Sequence, residues 1–255
     1  MSTRTLLAEY AQSFLDLLYI RRCEGCEEYL EAKRTGEARW LCDSCLEGLP
    51  GITAPFCEVC GEPYDGAASA TFRCGNCVGL KLHFDFAVAA CKADGVLREI
   101  IHRFKYQKQL HLRGVLACLL ARTLDEPRLA GMHHESCCLV PVPLFHARQR
   151  EREYNQSWEL CRQLSRDRTI PLLNALRRVR PTTSQASLSR NQRIENLRGA
   201  FRVAPGVVRR ERLKHKLVLL VDDVLTTGST ASECAKVLRR DAGVEKVVVI
   251  TVARG

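Results

Sequence analysis

Leu217-Val-Leu-Leu-Val-Asp222-Asp223-Val-Leu-Thr226-Thr227-Gly228-Ser229-Thr230 is the stretch on which the reading of this chain turns. Five consecutive aliphatic residues, Leu217 to Val221, predict a strand buried on both faces, the kind found in parallel sheets. Two carboxylates, Asp222 and Asp223, follow, then a turn of Thr, Gly and Ser, then a helix predicted over Ser229–Arg240. Gly228 permits a tight turn, and the free N–H groups of the helix start point outward. The hydroxyls of Thr226, Thr227, Ser229 and Thr230 surround the same anion-sized space, a nest suited to phosphate. Carboxylates repel a phosphate, but as charge-assisted acceptors they suit sugar hydroxyls. A ribose 5-phosphate carries both groups. A plain strand–turn–helix with an N-cap would account for the Thr and Ser residues alone, but not for a double acid against a buried strand.

Outward from this stretch the chain alternates. Strands are predicted at Phe86–Cys91, Cys138–Val142 and Val244–Val252, and helices at Gly95–Phe104, Leu112–Leu124 and Gln156–Ser165. Near-continuous aliphatic strands separated by helices predict an α/β fold with a parallel sheet covered on both faces. Segment 177–212, Arg-rich and without a clear period, reads as a long mobile loop followed by one or two strands, and long polar loops in compact domains are usually functional. At the other end, Leu6, Leu7, Tyr10, Phe14, Leu17 and Leu18 predict an amphipathic docking helix over residues 3–20. The composition changes near residue 80, which sets domain limits of 1–80 and 81–255.

Eight of the 14 cysteines form four Cys-x-x-Cys pairs within residues 23–77. Cys23 and Cys26 are followed after 15 residues by Cys42 and Cys45; Cys57 and Cys60 are followed after 13 by Cys74 and Cys77. Each set of four has zinc-ribbon spacing, with Gly25, Gly61 and Gly75 relieving the knuckle backbones. The region is too poor in apolar residues to fold without a staple, and two structural Zn²⁺ would supply it. Four thiolates leave no open position for catalytic water. Sequential pairing is preferred, with a cross-braced arrangement (first knuckle with third, second with fourth) left open by spacing. Cys91, Cys118, Cys137, Cys138, Cys161 and Cys234 read as buried small hydrophobes. His102, His111, His133, His134, His146 and His215 have no ligand-like spacing.

Of 255 residues, 46% are hydrophobic, which excludes a disordered chain. The longest apolar runs are short, and Glu9 and Asp16 interrupt the N-terminal one, so neither a membrane span nor a signal peptide is expected and a cytoplasmic location follows. The formal charge of +10 is unevenly spread: residues 143–216 hold 18 basic and 6 acidic side chains, while 1–80 are net acidic. Eight zinc-bound thiolates would lower the net charge to about +6. The basic segment fits a phosphate-rich small substrate or a nucleic-acid backbone equally well.

Residues 217–230 resemble the phosphoribosyl-diphosphate (PRPP) signature of type I phosphoribosyltransferases. Further along the chain, the cysteine knuckles, Phe104-Lys105-Tyr106, Val140-Pro-Val-Pro-Leu144, Tyr154-Asn155-Gln156, Leu176-Arg-Arg-Val-Arg180 and Asn196-Leu-Arg-Gly-Ala-Phe201 occur in the order seen in the ComF family of competence and DNA-utilisation proteins. The resemblance implies a type I phosphoribosyltransferase fold behind a double zinc-ribbon module. It implies that Asp222 and Asp223 hold the ribose hydroxyls of PRPP and act in catalysis, and that Thr226, Thr227, Gly228, Ser229 and Thr230 hold its 5-phosphate. Arg148, Arg150 and Arg152 would meet the diphosphate, with Mg²⁺ arriving on the ligand, and Arg178, Arg180, Gln185 and Arg190 would touch it from a closing loop. The implied reaction displaces diphosphate at the anomeric carbon without a covalent protein nucleophile. No segment reads as a nucleobase-specific hood. Amidophosphoribosyltransferase is excluded, because residue 2 is Ser and no glutaminase domain fits. The competing reading is a non-catalytic adaptor whose ribbons and basic segment engage single-stranded DNA or a competence helicase. One departure stands out. Glu153 occupies a place where the family commonly has Gly, and a positive φ there would strain it.

Overall fold

The computed structural model describes residues 21–31, 34–64, 66, 72–132, 136–181, 190–209, 213 and 216–255. The helix predicted over 3–20 lies outside these residues, as do Gln185, His133, His134 and His215, and the Arg190 side chain. After a short helix α1 (Asp43–Glu47) come β1 (Phe86–Lys92), α2 (Gly95–Tyr106), α3 (Arg113–Ala121), β2 (Cys137–Pro141), α4 (His146–Arg152), α5 (Gln156–Arg168) and β3 (Leu176–Arg178). They are followed by α6 (Arg190–Leu197), β4 (Phe201–Val203), α7 (Pro205–Arg209), β5 (Leu217–Leu225), α8 (Ser229–Ala242) and β6 (Lys246–Arg254).

Four strands form one parallel sheet in the order β1-β6-β5-β2, so the predicted α/β class with a parallel sheet flanked by helices is what the chain adopts. The period of two in β5 divides its side chains between the faces. Leu219 and Val221 join α2, α3 and α5 through Leu97, Ile100, Leu116, Leu120 and Leu160. Val218 and Leu220 join α8 through Ala231, Cys234, Ala235 and Leu238. Helix α2 begins at an Asp94 N-cap, whose carboxylate accepts from Gly95 N at 2.8 Å.

The predicted strands and helices are present with shifted ends. The helix expected over 112–124 is shorter, with 3₁₀ turns at Leu110–Leu112 and Arg122–Asp125 flanking α3. Segment 177–212, expected as a long loop followed by one or two strands, does hold a late strand, β4, which pairs with β3 as an antiparallel ribbon, but among its described residues it also holds the helices α6 and α7 where only loop was expected. Short polar elements that pack against a sheet elsewhere in the chain carry no local period to reveal them. Helix α4 was not anticipated for the same reason.

The cysteine-rich segment is built into the sheet rather than appended to it. Cys23, Leu41, Cys42 and Leu49 belong to one core and Cys57, Cys60 and Cys77 to the other, so the two ribbons grip opposite faces. Between them they cover the edge strand β1. Lys92 N donates to Pro50 O at 2.7 Å and Ala87 N to Val59 O at 2.8 Å, satisfying backbone groups an open edge would leave bare.

Candidate functional site: two thiolate centres and a cleft at the carboxyl edge

Cys23, Cys26, Cys42 and Cys45 form one cluster and Cys57, Cys60, Cys74 and Cys77 the other, the sulfurs of each lying within 4.8 Å of one another. This is the sequential pairing, and the cross-braced one is excluded. Zn–S bonds of about 2.3 Å in a tetrahedron put sulfurs about 3.8 Å apart. Cys26 and Cys42 Sγ are 3.5 Å apart, and Cys60 and Cys74 Sγ are 3.6 Å apart, so the donor sets fit zinc. Backbone amides stabilise the thiolate form. Gly25 N and Cys42 N each donate to Cys23 Sγ at 3.3 Å, as does Cys74 N to Cys57 Sγ. Burial pushes the pKa of Cys23 and Cys57 up, but these amides outweigh it and hold both near 7. Gly25 is required by close approach, since a Cβ there would sit 2.7 Å from Cys45 Sγ and 2.6 Å from Val96 Cγ2.

The second centre is wired to the far end of the sheet. Arg254, buried at the end of β6, points Nη2 at Cys60 Sγ at 3.8 Å and pairs with Glu62. Its Nη1 donates to the Leu225 carbonyl at 2.9 Å, one residue before Thr226. Phe84 then lies under Gly228, whose φ of +73° only glycine adopts freely and whose Cβ, if present, would be 3.5 Å from the Phe84 ring.

That end of the sheet opens into a cleft of about 330 Å³. Asp222, Asp223 and the turn Thr226–Thr230 form its floor, and Arg148, Arg152 and Arg178 line its wall. Arg150 does not line it. On α4, positions 148 and 152 are one turn apart on the same face, while 150 points away and is exposed. Arg178, expected on a closing loop, sits in β3 and lines the cleft, and Arg180 is turned to Asn196 O and Arg198 O at 2.9 and 2.8 Å.

Sequence spacing did not reveal four further lining residues, Lys105, Tyr106, Gln156 and Ser157. They come from the end of α2 and the start of α5, and no local signal ties them to residue 222. Lys105 Nζ pairs with Asp223 Oδ1 at 3.0 Å, and Ser157 Oγ donates to Asp222 Oδ1 at 3.0 Å. Gln156 Oε1 accepts from Arg152 Nη1 at 3.0 Å, while its buried Nε2 has no partner among the described residues. A buried orphan donor beside arginines calls for an acceptor oxygen.

The charges are arranged for an anion with hydroxyls. Burial, then the negative charge of Asp223, raises Asp222 to about 7 despite Lys105 and Ser157. Burial, followed by Arg148, lowers Arg178 from its usual value, a strain that an anion seated between the two guanidiniums would relieve. Thr227 Oγ1 and Ser229 Oγ lie 3.0 Å apart at the head of α8, whose first-turn N–H groups have no acceptor within the helix.

Glu153 does adopt the left-handed conformation, φ +70°, at the end of α4, and its carboxylate pairs with Lys108. A left-handed non-glycine residue costs about 1–2 kcal/mol, glycine returns about 0.5–1 kcal/mol of that as chain entropy, and an exposed pair contributes little. Glu153→Gly is therefore expected to raise stability in urea unfolding by about 0.5 kcal/mol. A fall would mean that the Lys108 pair outweighs the backbone.

Taken together, fold and site define an α/β protein with a cleft lined by an acid pair, a hydroxyl-rich turn and three arginines at the carboxyl ends of its strands, and a double zinc ribbon on its outer strand. A double zinc ribbon domain profile matches residues 14–78. Competence protein F of Haemophilus influenzae is 36% identical over 234 residues, covering 91% of this chain and 96% of that protein. The DNA utilization protein YhgH of Escherichia coli K12 is 33% identical over 188 residues, 73% of this chain and 78% of its own. Competence protein ComFC of Bacillus subtilis is 22% identical over 220 residues, 84% of each. The chain belongs to the ComF family. Among the described residues no helix is long and apolar enough to cross a membrane.

Proposed function

We propose that this protein binds PRPP with Mg²⁺ in the cleft and acts as a phosphoribosyltransferase-like member of its family in uptake or utilisation of DNA, in the cytoplasm. The observation that carries the reading is the convergence in one cleft of an acid pair, a hydroxyl-rich helix start and three arginines. The 5-phosphate takes the Thr226–Thr230 nest, Asp222 and Asp223 accept from the ribose hydroxyls, and Arg148, Arg152 and Arg178 face the diphosphate. In transfer, the bond from the anomeric carbon to the diphosphate oxygen breaks, the diphosphate leaves with the electron pair, and an acceptor atom bonds to that carbon. Carboxylates on the hydroxyls make the sugar electron-rich enough to bear an oxocarbenium-like centre, and the arginines stabilise the departing charge. Mg²⁺, bound mainly through ligand oxygens, would add charge neutralisation on the diphosphate.

Calorimetric titration of PRPP with Mg²⁺ into zinc-loaded protein tests this reading. One-to-one binding, weaker with ribose 5-phosphate and with diphosphate alone, is expected. Absence of binding by folded protein would reject it. A second reading, the single-stranded-DNA or helicase-docking adaptor, draws on the exposure of Arg150, Arg162, Arg166, Arg168 and Arg202 outside the cleft. It requires single-strand binding that falls steeply with salt.

A further inference from the structure

A second cleft, of about 300 Å³, borders the first through Leu144 and Arg178. It lies against a different face of α4, where His146 and Gln149 are one turn apart, and is completed by Trp158 at the start of α5 and Asn174 before β3. The Trp158 indole N–H and the carboxamides of Gln149 and Asn174 have no hydrogen-bond partner among the described residues. By contrast, the charged groups around the 420 Å³ cleft between the second ribbon and β1 largely consume one another: Glu58 takes Arg73, Glu126 takes Arg128, and Asp85 takes Arg239. Among the described residues, the α4–α5 cleft keeps an aromatic wall and uncommitted two-sided amides together, which the cleft beside β1 does not.

That set matches one ligand chemistry. A carboxamide donates and accepts from adjacent atoms, as does the edge of a nucleobase, and the Trp158 indole, which lines the same cleft, offers a planar surface for its face. Arg177, exposed on the rim, suits a phosphate attached to it. We propose that the α4–α5 cleft is a nucleobase-binding subsite, whatever fills the neighbouring cleft. The base can come as a small molecule or as one unit of a single strand.

Trp158 is itself the probe, because the chain's other tryptophan, Trp40, packs against Gly114 of α3, away from this cleft. Fluorescence titration of the full-length, zinc-loaded protein with adenine, cytosine, a deoxythymidylate oligomer and an abasic oligomer of equal length tests the proposal. Saturable quenching is expected with base-bearing ligands, absent in Trp158→Phe and at least tenfold weaker in Gln149→Ala/Asn174→Ala, whose changed side chains are both exposed. Quenching by free bases assigns the small-molecule source; quenching by the oligomer alone assigns the single strand. The proposal is overturned if the abasic oligomer binds as well as the base-bearing one, if quenching survives in Trp158→Phe, or if no base-bearing ligand quenches. PRPP titration of the Gln149→Ala/Asn174→Ala variant is expected to match wild type, so failure here and failure of the PRPP reading separate.

Discussion

Cys74→Ser is expected to reduce bound zinc from two equivalents to one and to lower the thermal midpoint by 10 °C or more, an effect of about 3 kcal/mol on a domain of this size. The sulfur is one of four within 4.8 Å, so serine leaves an incomplete donor set. Structural zinc contributes about 10–16 kcal/mol to small metal modules, comparable with the whole stability of a domain. The loss cannot stay local, because Cys57, Cys60 and Cys77 share a core with Val218, Leu220 and α8. Arg254 would also lose the Cys60 thiolate while it still holds Leu225 O, one residue ahead of the Thr226–Thr230 turn proposed to take the 5-phosphate, so PRPP affinity should fall with the metal. Metal analysis, a melting curve and a binding isotherm on one preparation check all three. Two zinc ions and an unchanged midpoint would refute the structural role.

The second large effect belongs to the acid pair. Asp222→Asn/Asp223→Asn is expected to weaken PRPP binding by a factor of 100 or more while the protein stays folded. Each hydrogen bond to a charged acceptor contributes about 1.5–3 kcal/mol, and neutral amides forfeit most of that for both hydroxyl contacts. With Asp222 raised to about 7, binding that needs its carboxylate must expel a proton at pH 6 and almost none at pH 8. Affinity therefore rises with pH toward 7 and levels off above it. The calorimetric heat at pH 6 should vary with buffer ionisation, beyond the part the ligand phosphates contribute and Asp222→Asn retains. The stability sign is opposite: a carboxyl with a raised folded pKa stabilises the fold at low pH and loses that contribution as pH climbs from about 4 through 7. Asp222→Asn should accordingly gain on wild type in urea unfolding above neutrality, and the same gain at pH 4 would show that Asp222 is not the titrating group.

Local chemistry wrote much of this site into the chain in advance. The aliphatic run before Asp222 predicts a strand covered on both faces, Gly228 marks a tight turn, and four Cys-x-x-Cys knuckles imply thiolate centres, because each signal lies within a few consecutive residues. The family resemblance, by setting a common Gly against Glu153, implied that a positive φ there would cost, though only the backbone could show that it is adopted.

What the tertiary structure alone decided is whatever depends on residues distant in the chain. Lys105 reaches Asp223 and Ser157 reaches Asp222 because α2 and α5 end at the same sheet edge, a distance no period encodes. Arg148 and Arg152 enter the cleft and Arg150 does not because α4 forms where spacing alone gave no helix. The pairing of the knuckles, and the grip of two ribbons on opposite faces of β1, required both cores to assemble. Sequence determines bonding capacity residue by residue, whereas which capacities meet is set by burial of the sheet, a cooperative property of the whole chain.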